Sequence, residues 1–312
     1  MKILYFGNTY PSAIGIINLD IKAVIDRKYH DIQFDILSHG IRGDAELFYI
    51  QRVWKNYDLL IVDPCIVQAI EEMGWHLAPE DVLEFKRKLI SVYHHELDVP
   101  SQHFRHGTGS GWYENWFTTP VCGINPYIVN QIKERGVDSQ MLPIGVNMDK
   151  FKPYKKVKKI KRAGFVGNAH QDSNEDWNYI KRPDIFKEIC KKAGIEPVII
   201  AGREHGPEMY EDVDIVICPS MAEGLPTYFA EVAACKIPFI STNVGIVREY
   251  SKVKTFKTTD QAVKIINNLN ESEDNIKEYV NDLYGEMFPD RNWENILEVY
   301  WIPYFNKLLN IK

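Results

Sequence analysis

Short apolar runs separated by amphipathic stretches recur twice along the chain. In the first half, the runs Ile3–Phe6, Phe34–Ser38, Leu59–Val62, Leu89–Tyr93, Val121–Ile124 and Met141–Ile144 are rich in Val, Ile and Leu. They are continuous rather than alternating, which predicts strands buried on both faces. Helical spacing predicts helices over Ile17–Ile25, Val67–Met73, Pro79–Lys88 and Pro126–Arg135, the last closed by Gly136. The second half repeats the pattern, with strands at Gly164–Val166, Val198–Ala201, Ile215–Cys218, Phe239–Ser241 and Lys254–Lys257. Its helices are predicted over Pro183–Lys192, Thr227–Ala234, Asp260–Leu269 and Asp274–Tyr284. Strands and helices alternating in this way are βαβ units. The fold class expected is α/β, two Rossmann-like, doubly wound parallel-sheet domains. Their ligands should sit at strand carboxyl ends, in a cleft between the two. A last helical pattern over Asn292–Leu309 contains Pro303, which should kink it. The domains expected are 1–153, 154–290 and a terminal helix over 291–312.

Composition narrows this little. The chain has 312 residues, 45% apolar and 26% charged, which excludes disorder, collagen and coiled coil. No run approaches the ~18 apolar residues of a membrane span, and the opening MKILYF is too short for a signal peptide. The five cysteines (Cys65, Cys122, Cys190, Cys218, Cys235) are scattered through apolar runs, so a reducing cytoplasm is expected. A net charge of −6 argues against a dedicated nucleic-acid binder. The local exception is Phe151–Arg162, FKPYKKVKKIKR, the strongest composition shift in the chain. It reads best as a solvated spacer kept extended by self-repulsion. The weaker reading is a basic strip that meets anionic lipid headgroups, a peripheral membrane contact, or a nucleic-acid backbone.

The chemistry concentrates in Cys218–Glu249, CPSMAEGLPTYFAEVAACKIPFISTNVGIVRE. A buried strand runs into a turn with Pro219 and Gly224, then a helix starting near Pro226. The amides around Gly224, Leu225 and Thr227 suit an anion such as a diphosphate. Glu223 lies in the turn and Glu231 eight residues later, about one turn inside the helix. Carboxylates beside an anion site are suited to vicinal sugar hydroxyls rather than to phosphate. The blander alternative is a helix-start charge for Glu223 and a surface position for Glu231. In the first half, VYHHELD ends a strand with His94 and His95, which a hydrogen-bonded structural role would also explain. His94, His95, His103 and His106 lack the spacing of a metal site, and no metal is expected. HGTGSGW (His106–Trp112) is neither a Walker A loop nor a dinucleotide fingerprint. With Trp112, Tyr113, Trp116 and Phe117 it reads either as an acceptor-side loop or as core.

The stretch resembles the signature of retaining glycosyltransferases of family 4, glycogen synthase-like enzymes of glycosyl transferases group 1 with the GT-B fold. The matching residues are Pro219-Ser220, Glu223-Gly224, Glu231, Ala234, Pro238, Phe239-Ile240 and Thr242, followed by Gly245 and Glu249. LPIGVNMDKFKP (Leu142–Pro153) resembles the family's interdomain segment, with Ile144 and Asn147 in place of its Asn and Asp. AGFVGN (Ala163–Asn168) and MKILYFGN resemble the first strands of its two domains. The resemblance implies that Glu231 binds ribose hydroxyls and that Glu223 contacts the donor sugar near the reacting centre. Amides of Gly224, Leu225 and Thr227 would lie along the sugar and diphosphate. Lys181 would hold the diphosphate. Asn168 stands where the family has Arg, so Arg182 or Arg203 would supply the second charge. His94 or His95 would face the donor, and Gly15 falls near the family's glycine-rich first loop. The first domain is then the acceptor side and the second the nucleotide-sugar side.

The function expected is therefore retaining, metal-independent transfer of a sugar from a UDP-, GDP- or ADP-linked donor to an acceptor hydroxyl. No cofactor is expected beyond that donor substrate. The acceptor is a sugar, a lipid-linked glycan, a small molecule or modified DNA. The alternatives are a nucleotide-sugar epimerase of the same fold and a nucleotide-sugar-binding module that has lost its chemistry.

Overall fold

A computed structural model describes residues 1–8, 13–39, 44–62, 79–94, 120–167, 179–201, 205–224, 226–288 and 290–310. The chain divides into two compact units, Met1–Ile144 with Trp293–Lys312, and Gly145–Asn292. The 145–153 stretch, placed by the sequence at the end of the first domain, is part of the second unit.

The first unit holds a six-stranded sheet ordered β2-β1-β3-β4-β5-β6. Its strands are β1 (Lys2–Asn8), β2 (Gln33–His39), β3 (Leu59–Val62), β4 (Leu89–Tyr93), β5 (Val121–Gly123) and β6 (Ser139–Met141). Every pairing is parallel. Helices α1 (Ala13–Lys28), α2 (Asp44–Val53), α3 (Pro79–Lys88) and α4 (Pro126–Lys133) accompany it. The sequence did not single out α2. β6 lies two residues before its expected position, because Pro143 has no N–H to give a ladder and Leu142–Ile144 leave the sheet buried. The predicted helix Val67–Met73 lies outside the described residues.

Trp293–Lys312 completes this unit. The helical stretch is interrupted as its proline requires: Trp293–Ile296 and Ile302–Leu308 are α-helical, and Leu297–Trp301 is a π turn. Pro303 cannot donate to the preceding turn, and the Ile302 N–H reaches Leu297 O, one residue further than in an α-helix. Trp293, Trp301 and Phe305 stack edge to face in the core, and the Trp301 indole donates to Pro143 O at 2.9 Å. Arg27 and Lys28, closing α1, both pair with Glu294.

The second unit is built around a five-stranded parallel sheet ordered β11-β10-β9-β7-β8. These are β7 (Arg162–Val166), β8 (Glu196–Ile200), β9 (Ile215–Cys218), β10 (Phe239–Ser241) and β11 (Lys254–Thr255). α5 (Pro183–Ala193), α6 (Thr227–Ala234), α7 (Thr259–Leu269) and α8 (Glu273–Met287) pack on it. Phe165, Phe186, Phe229, Phe239 and Leu283 are buried in one continuous core. The order reverses between β7 and β9: β8 lies to one side and β10, β11 to the other. In open parallel sheets, ligands bind at the carboxyl ends flanking such a reversal.

The basic segment 151–162 is not a spacer. Phe151, Val157 and Ile160 are buried in the second unit's core, and Ile160 exchanges two hydrogen bonds with the Asn270 side chain at 2.7 and 3.0 Å. Lys155 is half-buried, its ammonium donating to the carbonyls of Tyr210, Glu211 and Val213. Lys156 pairs with Glu273. Three apolar side chains anchor what the charge count alone presents as solvated.

Candidate functional site

The site grows from the carboxyl end of β9. The strand is fully buried and leads through Pro219 into a loop that ends at α6. Thr242, just past β10, clamps the loop: its N–H donates to Cys218 O at 2.9 Å and its hydroxyl to Ser220 O at 2.5 Å. Gly245 braces it from the other side. Its φ is +48°, and a Cβ there would lie 2.3 Å from Gly224 O and 2.6 Å from Glu223 O. Only glycine permits that approach, and the Ile246 N–H then reaches Gly224 O at 3.1 Å.

Held this way, Glu223 is 3% exposed. Its Oε1 accepts from Lys181 Nζ at 2.6 Å and from the Ser220 hydroxyl at 2.8 Å. Lys181 is brought there by backbone: the Met221 N–H donates to Ile180 O at 2.8 Å, fastening the loop to the segment before α5. Arg182, next in sequence, adopts a left-handed conformation (φ 57°) ahead of Pro183. Such backbone is uncommon outside glycine, and it turns the chain from Lys181 into the helix.

Glu231 occupies the middle of α6 and is 7% exposed. The Tyr210 hydroxyl donates to Oε2 at 2.5 Å, and His205 Nε2 lies 2.7 Å from Oε1. Burial and the adjacent carboxylate push the Tyr210 phenol well above its ordinary pKa, so it keeps its proton. His205 packs edge to face on Phe151, centroids 5.1 Å apart, and its Nδ1 lies 3.3 Å from Lys150 Nζ. Lys150 and Phe151 are delivered by a turn in which Asn147 Oδ1 accepts from the N–H groups of Asp149 and Lys150. Both carboxylates are buried and individually partnered, so Glu231 does not take the surface position of the blander alternative.

Of the other candidates, Gly224 lies in the same loop and Thr227 opens α6, where Pro226 is the N-cap rather than the first helical residue. Gly15 is buried in α1 of the first unit. His94 follows β4, with its Nε2 3.4 Å from the Tyr5 hydroxyl; burial lowers its pKa to about 4, so it is neutral near pH 7. His95, Asn168, Arg203 and Leu225 lie outside the described residues, as do His103, His106 and the aromatic loop that follows. Among the described residues no cluster of three or more His, Cys, Asp or Glu is placed to hold a metal. Among them, too, no helix is long and apolar enough to cross a membrane. Lys150, His205 and Tyr210 were not anticipated. His205 carried one signal, a histidine shortly past a strand's carboxyl end, the same signal that flagged His94.

Two parallel-sheet units of this topology define the GT-B fold. Sucrose-phosphate synthase from Thermosynechococcus elongatus is similar at a TM-score of 0.67 and 10% identity, covering 100% of both chains. The catalytic domain of starch synthase IV from Arabidopsis thaliana, bound to ADP and acarbose, is similar at 0.63 and 9%, covering 99% of both. TarM, solved also as an S. aureus mutant with UDP, is similar at 0.60 and 13%. That match covers 83% of this chain, which spans 57% of the TarM chain. No curated protein sequence matches. The family model for glycosyl transferases group 1 matches residues 155–274. That match lies within the second unit, which also holds Lys181, Ser220, His205 and Tyr210, the hydrogen-bond partners of Glu223 and Glu231.

Proposed function

We propose that the protein transfers a glycosyl group from a nucleoside diphosphate sugar to an acceptor hydroxyl, with retention at the anomeric carbon and without a metal. The observation that carries this is the pair of buried carboxylates beside the sheet reversal of a group 1 domain, one held by a lysine and the other by a phenol and an imidazole. In this reading Glu231 receives the ribose hydroxyls. Glu223 lies at the donor sugar, and Lys181 meets the leaving diphosphate, whose charge grows as the glycosidic bond breaks. Attack on the face the diphosphate vacates needs positioning and charge stabilisation rather than a covalent nucleophile. Lys181 supplies the charge, and a chelator should leave the rate unchanged.

Among the similar structures, the TarM mutant holds UDP and starch synthase IV holds ADP, so UDP-, ADP- and GDP-sugars form the first screen. A donor at ~100 times its dissociation constant adds about 2.7 kcal/mol, several degrees of melting temperature. Stabilisation by one of these families, with release of its nucleoside diphosphate on adding an acceptor, is the expected result. Absence of stabilisation by all three contradicts the reading, and product formed without acceptor marks an epimerase instead.

A further inference from the structure

We propose that Lys150, His205 and Tyr210 form a positioning relay that orients Glu231 for a vicinal ribose diol, so that they set the preference for ribonucleotides over 2′-deoxyribonucleotides. The inference rests on the reading that Glu231 faces the ribose. It starts from what each group is able to donate. A lysine ammonium only donates, so the His205 Nδ1, 3.3 Å from Lys150 Nζ, must accept. That fixes the neutral imidazole with its proton on Nε2, and Nε2–H then donates to Glu231 Oε1 at 2.7 Å. Tyr210 donates to the other oxygen, Oε2.

A carboxylate offers about four lone-pair sites. The relay uses one on each oxygen and leaves one on each. Two acceptors, one per oxygen and locked in one plane, match the two neighbouring hydroxyls of a ribose. The plane is set from both sides, since Phe151 packs on the imidazole and Tyr210 is fully buried. A carboxylate anchored through only one oxygen would rotate about its terminal torsion, where the barrier is low and the distribution broad. It would then meet a diol and a single hydroxyl about equally well. His205 and Tyr210 thus act through Glu231 rather than on the substrate, and Lys150 acts through His205.

The test measures dissociation constants by calorimetry for UDP, ADP and GDP and for their 2′-deoxy counterparts, with melting temperatures recorded in parallel. Wild type should favour the ribo form of its preferred probe. His205→Leu and Tyr210→Phe should weaken ribonucleotide binding about tenfold while leaving the 2′-deoxy form nearly unchanged. His205→Gln, whose amide N–H reaches toward the Nε2 position, should restore most of the preference. Lys150→Met removes only the donor to Nδ1 and should give a smaller loss of the same kind. A melting temperature that falls while the ribo-to-deoxy ratio stays at the wild-type value overturns the relay and makes these residues structural. If His205→Leu fails to fold, an unchanged ratio in Lys150→Met overturns it. Failure of wild type to bind any of the three nucleotides defeats the donor reading itself. Binding that depends on Glu231 but not on His205, Tyr210 or Lys150 defeats the relay alone.

Discussion

Glu223 lies in the loop after β9 and Glu231 about one turn inside the helix that follows it, yet their surroundings differ in kind. Glu223 shares its proton-accepting oxygen with a cation and a hydroxyl, whereas Glu231 is gripped by a phenol and an imidazole. Truncating either leaves buried donors unpaired, at about 1–3 kcal/mol each. Glutamine is therefore the cleaner probe of function at both positions. In the first unit, His94 makes a separate claim. Its folded pKa of about 4 lies below the ~6.5 of a free imidazole, so the unfolded chain binds more protons between those values. The stabilisation is complete above pH 6.5 and is lost as pH falls toward 4, by up to roughly 3 kcal/mol. Denaturant titrations from pH 7.5 to 4.5 should show stability falling with acid, and His94→Gln should flatten the fall. An identical slope in the variant contradicts this account of the histidine.

Among the elements, the central strands β3, β4, β9 and β10 were legible because burial on both faces leaves a continuous apolar run. β3, β4, β9, β10 and α6 lie where the apolar pattern places them. The 151–162 segment was not legible, since eight cationic or otherwise polar neighbours mask Phe151, Val157 and Ile160, and partners 50 or more residues away decide its burial. Composition describes solvation only until a core is available to take the apolar minority. Lys155 gives the sharpest test. Its burial lowers its pKa, and its ammonium compensates by donating to three carbonyls. Lys155→Gln should lower the melting temperature by roughly 5 °C, the loss of a charge-assisted set worth about 2 kcal/mol in a unit of this size. Lys158→Gln and Lys159→Gln, both exposed, should leave it within a degree or so. Equal effects at all three positions contradict an anchored segment.

At the scale of the molecule, two units each hold a parallel sheet, and the strand-order reversal of the second falls where its carboxylates gather. The loop-and-helix part of that site was legible because it is contiguous: residues 218 to 249 carry both carboxylates, the glycine that braces them and the threonine that clamps the loop. The parts that were not legible come from elsewhere in the chain. Lys150, His205 and Tyr210 reach Glu231 only through tertiary packing, and no spacing in the sequence announces a partner 21 or 26 residues away. The central claim is that the two carboxylates divide the work, Glu231 binding the donor and Glu223 serving the bond that breaks. Steady-state kinetics of donor consumption for Glu231→Gln and Glu223→Gln test it most directly. Glu231→Gln should raise donor KM roughly tenfold to a hundredfold with kcat little changed, as expected when charge-assisted bonds of about 1.5–3 kcal/mol present in ground and transition states are lost. Glu223→Gln should depress kcat with KM nearly constant, since its contact counts mainly in the transition state. Wild-type kcat and KM in both folded variants would contradict the account.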